Sequence, residues 1–525
     1  MTEPFAGLDP RTPVLAGVGQ AAERLDEPGY QRRSAADLAG DAARAALVDC
    51  GADPCAVAGA IDTVAGVRQF ETSYPGARAP LGRSDNFPRS VALRIGANPA
   101  RAVLEVTGGQ APQHLVNEFA GVLAAGDSAV VLLAGGEAIS TIRRYAGEAD
   151  RPDFSEQVAG SLEDRGYGLD GLASGHLIAH GLIGGPAQYA VIENARRARL
   201  GLSRAAYAAA MGELFAPFTV VASGNPYAAA PVVRNAAELV TVTAANRLIA
   251  DPYPRYVVAR EKVNQGAAVL LMSVGAARLL GVPSERWVFL HGHADLRERG
   301  LMARADLSAG PASVLAARHA LEVAGIGVGE LATIDLYSCF PVPVFNVCDG
   351  LGLAVDDPRG VTVTGGLPFF GGPGNDYSMH AIAETVQLAR RSPGSYGFVG
   401  ANGGVMSKYS VGVYSTRPAE WVPDRSAELQ AEIDGWAAPE EAVVADGWAV
   451  LETYTIVHRR DGARTGIVIG RLESDGRRFI ARGEDGDAAL IELLATAPEP
   501  VGQRVYLRSS EAGHRVTVSG PGCRS

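Results

Sequence analysis

The chain has 525 residues, 47% of them hydrophobic and 20% charged, with a formal net charge of −11. That length exceeds one hydrophobic core and points to roughly three or four units of ~150 residues, while the acidic balance offers no basic footprint for nucleic acid and the lack of eighteen consecutive apolar residues argues against a membrane span. Five scattered cysteines (Cys50, Cys55, Cys339, Cys348, Cys523) without CxxC spacing exclude a disulfide framework and a cysteine-based zinc site as expectations.

The N-terminal stretch MTEPFAGLDPRTP has no basic region followed by an apolar one, so no secretory signal is expected and the cytoplasm is the expected location. AGVGQAA (16–22) imitates a dinucleotide-binding fingerprint, but a partial GxGxxA without a matched acidic residue is a weak sign. DAARAALVDCGADPCAVAGAIDTV (41–64) reads as helix, connector and strand. VTGGQAP (106–112) then reads as a glycine turn, QHLVNEFAGVLAAG (113–126) as a small-residue helix, and VVLLAGGEA (130–138) as a strand. Residues 141–260 interrupt this pattern with ENARRARLGLSRAAYAAAMGELFAPF and the turn-rich SGNPYAAAP; an insertion of this kind commonly forms a lid. Its arginines suggest a solvated helix face or a contact with ligand phosphates. NQGAAVLLMSV (264–274) closes the first half as a buried strand. His291 and His293 have metal spacing, yet no third ligand clusters near them in sequence, and no metal is expected.

The second half repeats the first. LAARHALEVAGIGVGELATIDLY (315–337) matches residues 41–64, VTGGLPF (363–369) matches VTGGQAP, and GFVGANGGV (397–405) is a looser partner of VVLLAGGEA. Three pairs in one order indicate two related α/β domains, here 1–280 and 281–416, whose glycine turns would surround one site with helix N-termini and backbone N–H groups. The second turn lies in TVTGGLPFFGGPGNDYSMH (362–380), where Gly365, Gly366, Gly371, Gly372 and Gly374 leave the backbone bare enough for close approach. Beyond Arg417, WAVLETYTIV, ARTGIVIGRLE, RRFIAR, QRVYLR and HRVTVS alternate between RRDG, ESDG and SEAG turns, predicting a separate small OB-like β-barrel over 430–525.

GLSRAAYAAAMGELFAPFTVVASGNPYA (201–228) and ELVTVTAANRLIADPYPRYVVAREKVNQGAAVLLMS (238–273) resemble the sterol-carrier-protein-associated branch of the thiolase superfamily, and the tail resembles the additional C-terminal domain of its type 1 thiolase-like members. The likeness runs over residues 10–416 and implies a duplicated thiolase fold of two stacked α/β domains, with an inserted lid and an extra barrel. It also implies an acyl-CoA or related thioester ligand, an acetyl-CoA acetyltransferase-like ancestry, a place in lipid metabolism and no separate cofactor. The catalytic set of the family is missing. Its nucleophilic cysteine would fall at Gly109 or Gln110, its histidine turn is Gly371-Gly372-Pro373, its second cysteine aligns with Ala401, and its His-Asp-Cys-Phe motif reads Tyr337-Ser338-Cys339-Phe340. Ordinary thiolase activity is therefore not expected. Gly109, Gln110, Tyr337, Ser338, Gly372, Pro373, Asn375, Asn402 and Gly403 are the expected ligand contacts, with backbone donors near Gly109 and Gly403 retained. Two alternatives stay open: a residual acyltransferase or lyase that uses Cys339 or His380, and a non-catalytic subunit that docks a protein partner through its barrel.

Overall fold

A computed structural model describes residues 5, 7–169, 174–484, 488–511 and 513–520; Cys523 and Ala512 of the SEAG turn lie outside them. In chain order the strands are β1 (Pro13–Ala22), β2 (Thr63–Gly66), β3 (Arg101–Leu104), β4 (Val130–Ala138), β5 (Glu163–Asp164), β6 (Leu248–Ala250), β7 (Tyr253–Pro254) and β8 (Asn264–Ser273). After them come β9 (Phe289–Arg297), β10 (Leu331–Leu336), β11 (Tyr396–Gly403) and β12 (Lys408–Ser415). The tail supplies β13 (Gly447–His458), β14 (Arg464–Leu472), β15 (Arg478–Gly483), β16 (Arg504–Ser510) and β17 (Gly513–Thr517).

The first half builds a six-stranded sheet in the order β1-β8-β4-β2-β3-β5, and the second a four-stranded sheet in the order β10-β11-β12-β9. Helices Ala111–Ala125 and Tyr377–Arg391 each touch strands of both sheets, while Ala35–Asp49 covers the outer face of the first and Pro311–Ala324 that of the second. The result is a five-layer α/β/α/β/α stack. The two central helices are small-residue helices because both of their faces are covered; Ala111, Leu115, Phe119 and Ala120 and, across from them, Ala381, Ile382 and Val386 are buried.

AGVGQAA lies inside β1 and forms no phosphate loop. A Cβ on Gly17 or Gly19 would collide with the carbonyls of Ala46 or Ala42, so these glycines let helix Ala35–Asp49 rest directly on the strand. The duplication is also less complete than the sequence suggests. Residues 358–361, the counterpart of β3, are not a strand, and just beyond them the buried carboxylate of Asp335 accepts from Val363 N at 2.9 Å and Thr362 Oγ1 at 3.1 Å.

In the tail, β13, β14, β15, β17 and β16 close into a five-stranded barrel, since β13 pairs with both β14 and β16. Ala449, Leu451, Tyr454, Val468 and Phe479 fill it. A helix not foreseen from the sequence, Ala488–Thr496, buries Leu490 and Leu494 in the same core. The barrel is bolted to the rest of the chain: Arg478, fully buried, donates to Met302 O at 3.0 Å, and β13 pairs with β6 of the insertion at Val457–Ala250. Of the ENARRARLG arginines only Arg199 is solvated. Arg196 pairs with Asp349 at 2.9 Å and Arg197 with Glu499 of the tail at 2.7 Å, both guanidinium groups being buried. Helix Arg204–Gly224, the described helix closest to membrane length and apolarity, packs Tyr207, Met211, Leu214, Phe215 and Phe218 into the main core.

Candidate functional site

A cavity of about 780 Å³ opens where both glycine turns, the insertion and the segment after β10 converge. Its inner end is buried and uncharged, formed by Tyr189, Tyr337, Cys339, Phe340, Asn402 and Gly403. Helix Gly185–Arg199 of the insertion positions Tyr189, whose ring stacks on Phe340 with centroids 4.6 Å apart. The Tyr189 hydroxyl donates to Gly404 O at 2.6 Å and accepts from Asn402 Nδ2 at 2.8 Å. The same Asn402 amide group lies 3.9 Å from Cys339 Sγ.

Glu193, one turn further along that helix, anchors the insertion from behind. Its carboxyl accepts from Tyr253 Oη at 2.6 Å, from Val342 N at 2.9 Å and from Tyr207 Oη, and burial pushes it up to about 7. Val342 belongs to helix Pro341–Leu351, which starts two residues after Cys339, so the bond fixes the wall that carries the thiol.

At the inner end the space beside Gly109, one of the two positions at which the family's cysteine was expected to fall, is occupied. A Cβ on Gly109 would run into the ring and hydroxyl of Tyr337. Burial pushes the Cys339 thiol up to about 12, which leaves it protonated near neutrality and unfit to attack.

The turns themselves are held by protein–protein hydrogen bonds. Gly108 N donates to Asn375 Oδ1 at 3.1 Å, Asn375 Nδ2 donates to Arg68 O at 2.8 Å and Ser73 Oγ at 2.9 Å, and Gly372 N donates to Arg260 O at 2.9 Å. Gly108, Gly371 and Gly374 take φ of +145°, +127° and +54°, conformations that favour glycine. Gly372 does not, and a Cβ there meets Leu367 Cδ2 at 3.3 Å.

Of the residues expected at the site, Gly109, Tyr337, Cys339, Gly372, Asn375, Asn402 and Gly403 line the cavity. Gln110, Ser338, Pro373 and His380 do not. Gln110 turns its side-chain carbonyl toward Gly108 and Gly403, and Ser338 Oγ accepts from Leu367 N at 3.2 Å. His380 is corrected as a general-base candidate: it is fully buried, bonded through Nδ1 to Gln20 Oε1 at 2.8 Å, packed edge-on against Phe370, and driven by burial down to about 3. His291 and His293 are bonded to the carbonyls of Arg417 and Val422.

The outer end is of opposite character and was not foreseen. Arg234, Arg247, Arg255, Arg260, Lys262 and Arg460, all exposed or half-buried, line it. Glu261, the one acid among the lining residues, pairs with Arg143. Arg260 Nε has no hydrogen-bond partner, and burial together with Arg255 and Arg234 lowers the guanidinium's proton affinity. Such a concentration of positive charge on a chain of net charge −11 focuses anions.

The model of the thiolase-like protein type 1 additional C-terminal domain matches residues 428–512. The crystal structure of a monomeric SCP2-thiolase-like protein type 1 from Mycobacterium smegmatis is 52% identical, covers 98% of this chain and 100% of its own, and superposes with a TM-score of 0.84. The chain belongs to the type 1 SCP2-thiolase-like proteins. No curated protein matches it. More distant solved structures share the fold alone with this type 1 protein: an Ltp2–ChsH2(DUF35) aldolase at 18% identity (78% of this chain, 99% of that one, TM-score 0.57) and an acetyl-CoA acetyltransferase from Syntrophomonas wolfei at 15% (77% and 99%, TM-score 0.53). The fold expected from the sequence, a duplicated thiolase core with an added barrel, is the fold found.

Proposed function

We propose that the protein binds a coenzyme A thioester in this cavity without performing the thiolase reaction. The observation that carries the proposal is the polarity of the cavity: six basic residues at the outer end, suited to the phosphates of the nucleotide, and an uncharged aromatic inner end suited to an acyl group. In this reading the backbone N–H groups of Gly109 and Gly403, residues that line the cavity, would meet the thioester carbonyl. The inner end supplies neither a free thiolate nor an accessible imidazole, because Tyr337 fills the space next to Gly109 and His380 is sealed in the core.

Titration of the full chain with CoA, dephospho-CoA and pantetheine tests the reading. Affinity is expected to fall in that order and to weaken with salt, since each phosphate lost removes charge-assisted contacts. Equal affinity for CoA and pantetheine would remove the role assigned to the basic end. A lack of saturation by any of them would remove the proposal.

A further inference from the structure

The mouth of the cavity carries an apolar apron. Val220, Val232, Val233 and Val242, all from the insertion, are 51% to 58% exposed. Hydrogen bonds brace the backbone that presents them. Thr219 Oγ1 accepts from Arg234 N at 3.1 Å, tying residues 232–234 to the helix that carries Val220. The buried Asn246 donates through Nδ2 to Thr241 O at 3.0 Å and accepts at Oδ1 from Tyr256 N at 2.8 Å, which fixes the loop bearing Val242 beside Arg247 and Tyr256 of the lining. Apolar side chains grouped in this way and rimmed by charge mark an interaction surface.

The barrel extends the charge of the mouth beyond the cavity. Its RRDG turn presents Arg459 and Arg460, with Arg464 just after them, all exposed. Arg247 Nη1 donates to His458 O at 3.3 Å and joins that turn to the mouth. Arg460 lines the cavity, whereas Arg459 and Arg464 lie outside the lining. The acids of the same surface are engaged: Glu238 caps helix Ala236–Val240, Glu261 pairs with Arg143, and Asp461 accepts from Ala463 N at 3.0 Å. The surface is therefore broader and more apolar than the phosphates of a nucleotide use.

We propose that this mouth is a docking surface for a small acidic carrier protein that delivers the thioester on a phosphopantetheine arm. The inference rests on the function proposed above and names what presents the thioester. Such an arm has the pantetheine and thioester of an acyl-CoA without the adenine nucleotide, the carrier's carboxylates would meet the arginines, and its apolar residues would cover the valines. Charge favours a small partner over an anionic bilayer. With screening over about 8 Å at physiological salt, a carrier senses the basic mouth alone, while a flat bilayer also faces the surrounding surface of a chain whose net charge is −11. A second copy docked mouth to mouth would set arginines against arginines.

The test titrates the full chain with a purified acyl carrier protein in its holo and apo forms, with CoA, and with phosphatidylglycerol vesicles. Saturable, salt-sensitive binding of the holo form is expected, with CoA competing and the apo form, which lacks the arm, binding more weakly. The double variant Val233→Ser, Val242→Ser should weaken carrier binding by about 10-fold. Arg459→Gln with Arg464→Gln should weaken it several-fold and reduce its salt dependence. All four side chains are exposed and outside the cavity lining, so both variants should fold and keep the wild-type affinity for CoA. Binding of CoA without binding of the holo carrier would overturn this inference and leave the proposed function standing, whereas failure of both to bind would remove the two together. Carrier binding that neither double variant weakens, or vesicle binding in place of carrier binding, would also overturn it.

Discussion

The two ends of the cavity differ in what they keep. The outer end holds six basic side chains contributed mainly by the insertion, in a form ready to meet a multiply charged anion. The inner end keeps the backbone of the glycine turns, yet a tyrosine stands where a side chain at Gly109 would begin and the nearby thiol is held protonated by burial. Under the proposed function, binding and chemistry separate along one cavity. Affinity can persist on charges and backbone donors alone, whereas covalent catalysis needs a specific nucleophile at a specific atom.

The largest effect that would break this comparison is turnover. Thiolysis of acetoacetyl-CoA is expected to lie several orders of magnitude below ordinary thiolase rates, as for enzymes stripped of their nucleophile. Gly109→Cys alone should not restore it, because the new side chain collides with Tyr337; it should lower stability by about 1–3 kcal/mol through overpacking. Tyr337→Ala added to it should recover Tm by opening the space. Thermal melts of the single and double variants check the steric claim separately from the rate.

Next in size is the outer end. Arg260→Ala should weaken CoA binding by about 10- to 100-fold, the usual worth of a charge-assisted contact, and Cys339→Ala should leave it nearly unchanged. The reverse ranking would place the affinity at the inner end.

A smaller effect concerns pH. Glu193 rises from the ordinary glutamate range to about 7 on burial, so its protonated form is the one the fold favours. Its stabilising contribution is full below the unfolded pKa of about 4.5 and is lost as pH rises through about 7. Glu193→Gln should flatten the decline in Tm over that window, relative to the wild-type chain; an unchanged profile would mean that the carboxyl stays ionised. Smallest is Gly372→His. The position has ordinary backbone angles and a Cβ there meets Leu367 at 3.3 Å and Ala259 and Arg260 O at 3.7 Å, so the variant should fold and change CoA affinity by a few-fold without gaining thiolysis.

Much of the scaffold was legible in the sequence because local chemistry specifies it. The paired AAR helices, the VTGG turns and the alternating tail all have short-range signatures, and each found its element. The site was legible only where it is made of turn backbone. Gly109, Gly372 and Gly403 reach the cavity because the duplicated turns face each other. His380 does not, since its helical phase directs it into the core beside Gln20. The basic end joins Arg234 to Arg460, and a separation of that size carries no local pattern. Helix Ala488–Thr496 was overlooked because its apolar run is short and sits among hairpins.

The most direct test of the account measures occupancy and chemistry in one sample: equilibrium binding of acetoacetyl-CoA by calorimetry, followed by assay of the same complex for thiolysis with free CoA. The account expects saturable, salt-sensitive binding with one site per chain and no thiolysis above the uncatalysed rate. Thiolysis at ordinary thiolase rates, or a flat titration, would contradict it.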